Sequence, residues 1–206
     1  MKKIMFSERF GLEQAVLAGT KTMTRRIIPI DLYNQTDWKA VAEGDFEAVV
    51  DGEGYYHDIR NCGKYHIGEE VAIAQPYKND GVLTYNAYNE DGTAREDGLQ
   101  RHKEMLKSKG YRNKMFVKAE YMPHSIRITG IKVERLQDIS EEDCLREGLL
   151  AGEQEPRMYG FRLPKGTVLS FLTPREAFAA LIDRISGRGT WDSNPWVYAY
   201  TFELIK

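Results

Sequence analysis

Cysteine is nearly absent: the 206 residues hold only Cys62 and Cys144, and these form no CxxC pair. That pattern argues against a disulfide framework or a thiolate metal site, and two small buried hydrophobes are the expected outcome. The four histidines (His57, His66, His102 and His124) are scattered and form neither HxH nor HExxH, so no metal is expected. Neither GxGxxG nor a P-loop occurs, which removes the doubly wound nucleotide-binding folds and leaves no cofactor implied. No apolar run approaches the roughly 20 residues of a membrane span. The opening MKKIMFSERF leads into no apolar segment of signal-peptide length, so the expectation is a cytoplasmic protein with no membrane partner. Net charge is also small, at −2, which argues against a general nucleic-acid coat.

What charge there is lies unevenly. Residues 1–30 carry six cations against two acids, and Arg101 to Lys118 carries seven against one. Residues 43–58 hold six acids and no Lys or Arg, while Glu134 to Glu155 holds eight acids against two arginines. Such polarity suits a phosphate-bearing ligand on one side, although each acidic run alone reads better as a solvated face.

With 42% hydrophobic and 29% charged residues the chain can bury a core, and the length fits a single domain over 1–206 with an insertion at about 79–114. FGLEQAVLAG predicts a short helix closed by Gly19, and TMTRRII then alternates as a strand. Residues 31–64, rich in Gly, Asp and Asn, read mostly as loop. EEVAIAQ reads as a strand after Gly68, and SIRITGIKVERL as a long one. In DISEEDCLREGLL, Ser140 is the expected N-cap, Asp143 the capping-box partner, and Gly148 the stop. TPREAFAALIDRISG predicts a helix capped by Thr173 and Glu176, with Phe178, Leu181, Ile182 and Ile185 as its buried stripe. WVYAYTFEL closes as an aromatic strand. The expected class is α+β: a small barrel of mostly antiparallel strands with a few short flanking helices.

The stretch LAGTKTMTRR, Leu17 to Arg26, concentrates the chemistry. Strand alternation sets Thr22, Thr24 and Arg26 on one face and Met23, Arg25 and Ile27 on the other. Lys21 has the wrong parity for the Thr24 face and joins it only from the turn after Gly19. Glu147, three residues after the inward-facing Cys144, falls near the core side of its helix, where a carboxylate needs a cation. In an amide hydrolase built from these groups, Thr24 attacks the acyl carbon, Lys21 is the base, and Glu147 completes the site. Arg26 then steadies an oxyanion or holds a phosphate or a base edge, with Arg25 and Thr22 as further binding groups. The competing interpretation is an exposed cationic strand with Glu147 in a structural ion pair.

These residues resemble the ASCH domain family, whose fold is similar to the PUA domain of RNA-modifying proteins. The matching stretches are LAGTKTMTRR at 17–26, YHIGEEVAIAQ at 65–75, RITGIKVERLQDISEEDCLREGL at 127–149 and GTWDSNPWVYAYTFEL at 189–204. They are most similar to the longer versions found in phage and prophage gene sets. The resemblance implies a PUA-like β-barrel. One branch of the family hydrolyses N4-acetylcytidine with a lysine, a threonine and a glutamate, and Lys21, Thr24 and Glu147 fall on those positions, with Arg26 on the motif arginine. Where many long members carry WVRET, this chain has Ala72, Ala74 and Gln75, which implies a different substrate or partner.

Three functions follow as expectations: a small amidohydrolase acting on an acylated nucleoside, a non-catalytic binder of RNA or a modified nucleotide through Arg25, Arg26 and the 101–118 stretch, and a phage–host interaction protein acting through its insertion. A nucleoside or RNA ligand is the expected partner.

Overall fold

The computed structural model describes residues 1–154 and 157–205; Glu155, the end of the second acidic run, lies outside them. The fold mixes helix and strand, and its sheets are mainly antiparallel. No closed barrel is found among the described residues. The chain divides into two compact units, with residues 79–114 inside the smaller.

The smaller unit comprises Met1–Ser7, Glu70–Arg127 and the end of the chain from Leu204. In it the strand Lys2–Ile4 runs parallel to Glu70–Ile73, which pairs antiparallel with the start of Ser125–Arg135. Residues 79–114, which show little periodicity in the sequence, supply the helices Asp80–Ala87 and Gly98–Lys107. Asn79 caps the first through Gly81 N, as short polar side chains do at helix starts. The core here joins Ala72, Ala74, Tyr77, Val82, Met105 and Val117. Asn86 is buried among them and made tolerable by donating to Val82 O and Tyr121 O. Ala72 and Ala74 thus serve packing in this core.

The larger unit, Glu8–Glu69 with Ile128–Glu203, holds the Lys21 region. Its central strand Trp196–Leu204 lies between the remainder of Ser125–Arg135 and Met23–Ile27. The central strand is buried on both faces from Trp196 to Tyr200, so Val197 and Ala199 are core as well as the alternating aromatics. Register pairs Tyr198 with Arg26 and Tyr200 with Thr24.

The two marked helices form where the sequence signals them. Glu141–Arg146 is capped by Ser140, whose hydroxyl accepts from Asp143 N, and Pro174–Ser186 carries the full Thr173–Glu176 box. Ala177 takes a place in the buried stripe, while Ile185, expected there, is 41% exposed at the last turn. Residues 31–64 are more ordered than their composition suggests. They form the short helices Ile30–Asn34 and Trp38–Ala42 and the hairpin Glu47–Val50 with Tyr56–Asp58. Local caps contribute, Asp37 accepting from Lys39 N and Ala40 N and Asp51 from Glu53 N and Tyr55 N, and tertiary packing adds the rest: Trp38 stacks on Trp196 at 4.8 Å and lies tilted against Tyr33 at 4.5 Å.

Candidate functional site

The helix Leu12–Leu17 ends at Ala18, and Gly19 takes φ +72°, a conformation that favours glycine. Thr20 N and Lys21 N then both donate to Ala15 O at 2.9 Å, which turns the chain back before the strand begins at Met23. Lys21 therefore sits in the turn, outside the regular strand. Its direction is nevertheless inward, toward the end of the Ser140-capped helix.

There its ammonium makes three hydrogen bonds: to Met23 O at 2.7 Å, to Glu147 O at 2.7 Å and to Glu147 Oε2 at 2.6 Å. The two side chains are 1% and 7% exposed. Gly148 follows at φ +94°, and a Cβ there would stand 3.2 Å from Lys21 Cβ, so glycine answers both the turn and the close approach. Burial holds the Lys21 amine below its ordinary value of 10.5, outweighing the upward pull of Glu147; Arg26 and Arg25 add to the lowering.

Arg25 closes the other side of Glu147. Its Nη1 donates to Glu147 Oε1 at 3.1 Å, its Nη2 reaches Glu134 at 2.6 Å and Asp143 at 3.1 Å, and its Nε adds Glu134 at 2.9 Å. Burial pulls this guanidinium down, but Glu147 and Glu134 together hold it above its ordinary range. Asp143 also meets Arg146 Nη1 at 3.3 Å, and Arg146 Nε donates to the Thr22 hydroxyl at 3.2 Å. The result is a largely buried network in which three cations, Lys21, Arg25 and Arg146, and three carboxylates, Glu134, Asp143 and Glu147, neutralise one another.

The expected site residues thus divide. Lys21 and Glu147 are brought into contact. Arg25, expected to bind ligand, is instead turned inward with a side chain 1% exposed, because three carboxylates compensate its burial there and none would outside. Thr22 has its hydroxyl engaged by Arg146. Thr24 is buried, and strand alternation sends it to the face opposite Arg25, so the trio is only partly gathered. Arg26 is half-buried on that Thr24 face, near enough to act electrostatically on the hydroxyls of both Tyr65 and Tyr200.

Three members of the network lie beyond the expected set: Glu134, Asp143 and Arg146. Asp143 carries a signal, being four residues before Glu147 and so on the same helix face. Glu134 carries none, since its link to Arg25 spans 109 positions.

A cavity of about 180 Å³ adjoins the pair, lined among others by Phe10, Gln14, Thr20, Gly148 and Arg162. Thr20 and Gly148 are the chain neighbours of Lys21 and Glu147. Cys144 is buried, with its thiol pushed up to about 12 by burial, and has no accessible nucleophile to offer. Among the described residues no three His, Cys, Asp or Glu side chains cluster to hold a metal ion, and no helix is long and apolar enough to cross a membrane.

Comparison with family models, with curated proteins and with solved structures finds no match to this chain.

Proposed function

We propose that the chain is an ASCH-type protein that hydrolyses the amide of an acylated nucleoside, N4-acetylcytidine being the type substrate. The observation that carries this reading is the Lys21–Glu147 contact: a shielded amine held below its ordinary pKa, 2.6 Å from a carboxylate and three residues from a threonine. An amine so placed can pass one proton to Glu147 Oε2 and become the free base that a hydroxyl nucleophile needs.

The reaction then runs through Thr24. For this step Lys21 must leave Met23 O and Glu147 and swing to the Thr24 face of the strand, where it takes the Thr24 proton as Oγ1 attacks the acyl carbon. Collapse expels the nucleoside amine, which takes that proton back, and leaves an acyl ester on Thr24. Water then attacks the ester, releasing the carboxylic acid and restoring the hydroxyl. Arg26, on the Thr24 face with Tyr65 and Tyr200 beside it, is suited to steady the oxyanion or the base edge. The same reading carries a PUA-like barrel as the fold and the cytoplasm as the compartment.

A second reading has its own observation. Lys21 already makes three hydrogen bonds, while Arg26 is half-buried on the opposite, Thr24 face of the strand beside Tyr65 and Tyr200. That arrangement suits a binder of RNA or a modified nucleotide in which Lys21 and Glu147 are structural.

Incubation with N4-acetylcytidine, with cytidine followed by chromatography, separates the two. Release that is abolished by Thr24→Ala supports the hydrolase. Absence of release from folded protein, with ligand binding abolished in Arg26→Ala and kept in Thr24→Ala, supports the binder.

A further inference from the structure

We infer that the smaller unit carries a binding surface for single-stranded nucleic acid, centred on Phe116 and independent of the Lys21 chemistry. Its centre is the turn Lys114–Phe116, which leaves Met115 60% and Phe116 51% exposed. Side chains of that size are usually drawn inward, yet this turn is pinned with both of them outward. Lys3 Nζ donates to Met115 O at 2.7 Å and to Val117 O at 2.6 Å, and Asn113 Oδ1 accepts from Met115 N at 3.0 Å. Lys114 is directed elsewhere, its Nζ donating to Phe6 O. Two lysines thus serve as main-chain clamps, and the exposed ring is held at low conformational cost to whatever meets it.

A cation lies against the ring, and others flank it in the chain. Lys109 Nζ lies 5.7 Å from the Phe116 centroid. Lys107, Lys109 and Arg112 are exposed, and none has an ion pair among the described residues. On the helix that leads to this turn, Glu104 accepts from Lys118 at 3.0 Å and from the Tyr121 hydroxyl at 2.8 Å, and Asp97 at its start accepts from Arg101 at 2.5 Å. What faces solvent is an aromatic and a thioether with Lys109 against the ring, in a stretch whose exposed Lys107, Lys109 and Arg112 make no ion pair among the described residues.

That chemistry selects the partner. The cations call for a polyanion, and the rigid ring calls for a flat apolar face spaced along it, which unpaired bases on a phosphodiester chain supply. A duplex meets only half of the demand, because its bases are stacked on each other. An anionic membrane also carries negative charge, but a single Phe–Met turn inserts little apolar area.

The test is fluorescence anisotropy of the full chain with a labelled oligouridylate at two salt concentrations, beside a duplex of equal length. Preferential binding of the single strand is expected. Phe116→Ala should weaken it by roughly tenfold, as removal of one base stack does, and Phe116→Trp should preserve it. Lys109→Ala with Arg112→Ala should lower the salt slope by about 0.7 for each phosphate that these side chains neutralise. Equal affinity for duplex, indifference to Phe116→Ala, or binding to phosphatidylserine vesicles in place of RNA would overturn the inference. N4-acetylcytidine hydrolysis, measured on the same Phe116 variants, should be unchanged, so this failure and failure of the hydrolase reading are told apart.

Discussion

Lys21 and Glu147 stand 126 positions apart and are joined twice, by Glu147 Oε2 at 2.6 Å and by the Glu147 main-chain carbonyl at 2.7 Å. The second bond fixes the lysine to the backbone at the end of the Ser140-capped helix, so the pair holds two elements together whatever else it does. Because Glu147 also binds Arg25, its loss leaves two buried cations short of a partner.

Glu147→Gln is therefore expected to cost about 3–5 kcal/mol, the range for breaking a buried ion pair on one side. Lys21→Met should cost less, since Glu147 keeps Arg25. The double variant should be more stable than the sum of the two losses implies, with a coupling of roughly 0.5–3 kcal/mol. Urea unfolding of the four proteins measures this, and strict additivity would show that the two residues do not interact.

Gly130 answers a different constraint. A Cβ there would fall 2.5 Å from Thr201 Oγ1, on the neighbouring strand. Gly130→Ala should destabilise by about 1–3 kcal/mol through overpacking. Thr201→Ala, which removes that oxygen, should restore most of the loss in the double variant. A Gly130→Ala protein that melts like the parent would refute the crowding.

Local signals make much of this fold legible. Ser140, Thr173 and Glu176 announce their helices because a cap is satisfied within four residues, and Gly19 marks the turn that places Lys21. The inward position of Glu147 is also readable, from Cys144 one turn before it. What cannot be read is set by partners far along the chain. Asp143 looks like half of a capping box, but its carboxylate goes to Arg25 and Arg146, a use that depends on a strand 118 residues earlier. Arg25 looks like a ligand-facing cation until Glu134 is placed beside it. The short helix Trp38–Ala42 starts at its Asp37 cap, but its Trp38 ring is held against Trp196, and nothing between 31 and 64 encodes that surface.

On the Thr24 face, burial pushes the Tyr200 hydroxyl up to about 12, against the pull of the Tyr65 backbone N–H. A phenol raised in the folded state contributes stability that is fully present below its ordinary value near 10 and is lost as pH climbs through 12. Tyr200→Phe should flatten that alkaline decline while costing little at neutral pH. Thermal unfolding between pH 10 and pH 12 tests it, and an undiminished slope in the variant would assign the decline to other groups.

Lys21 should act in the opposite sense. Its amine is held below the ordinary 10.5, first by burial, so at pH values between the folded and unfolded pKa the unfolded chain binds a proton that the folded chain does not. Stability must then rise with pH through that window and level off as 10.5 is passed. The Lys21→Met protein lacks the titrating group and should lose that rise, although the Tyr200 decline above pH 10 should persist in it. With Lys21 as the base, hydrolysis should climb with pH through the depressed pKa of the folded amine and level off before 10.5, because the free amine is the form that takes the Thr24 proton. A stability profile unchanged by Lys21→Met would show that the folded and unfolded chains release this proton at the same pH, and the depressed amine on which a base role for Lys21 rests would fall with it.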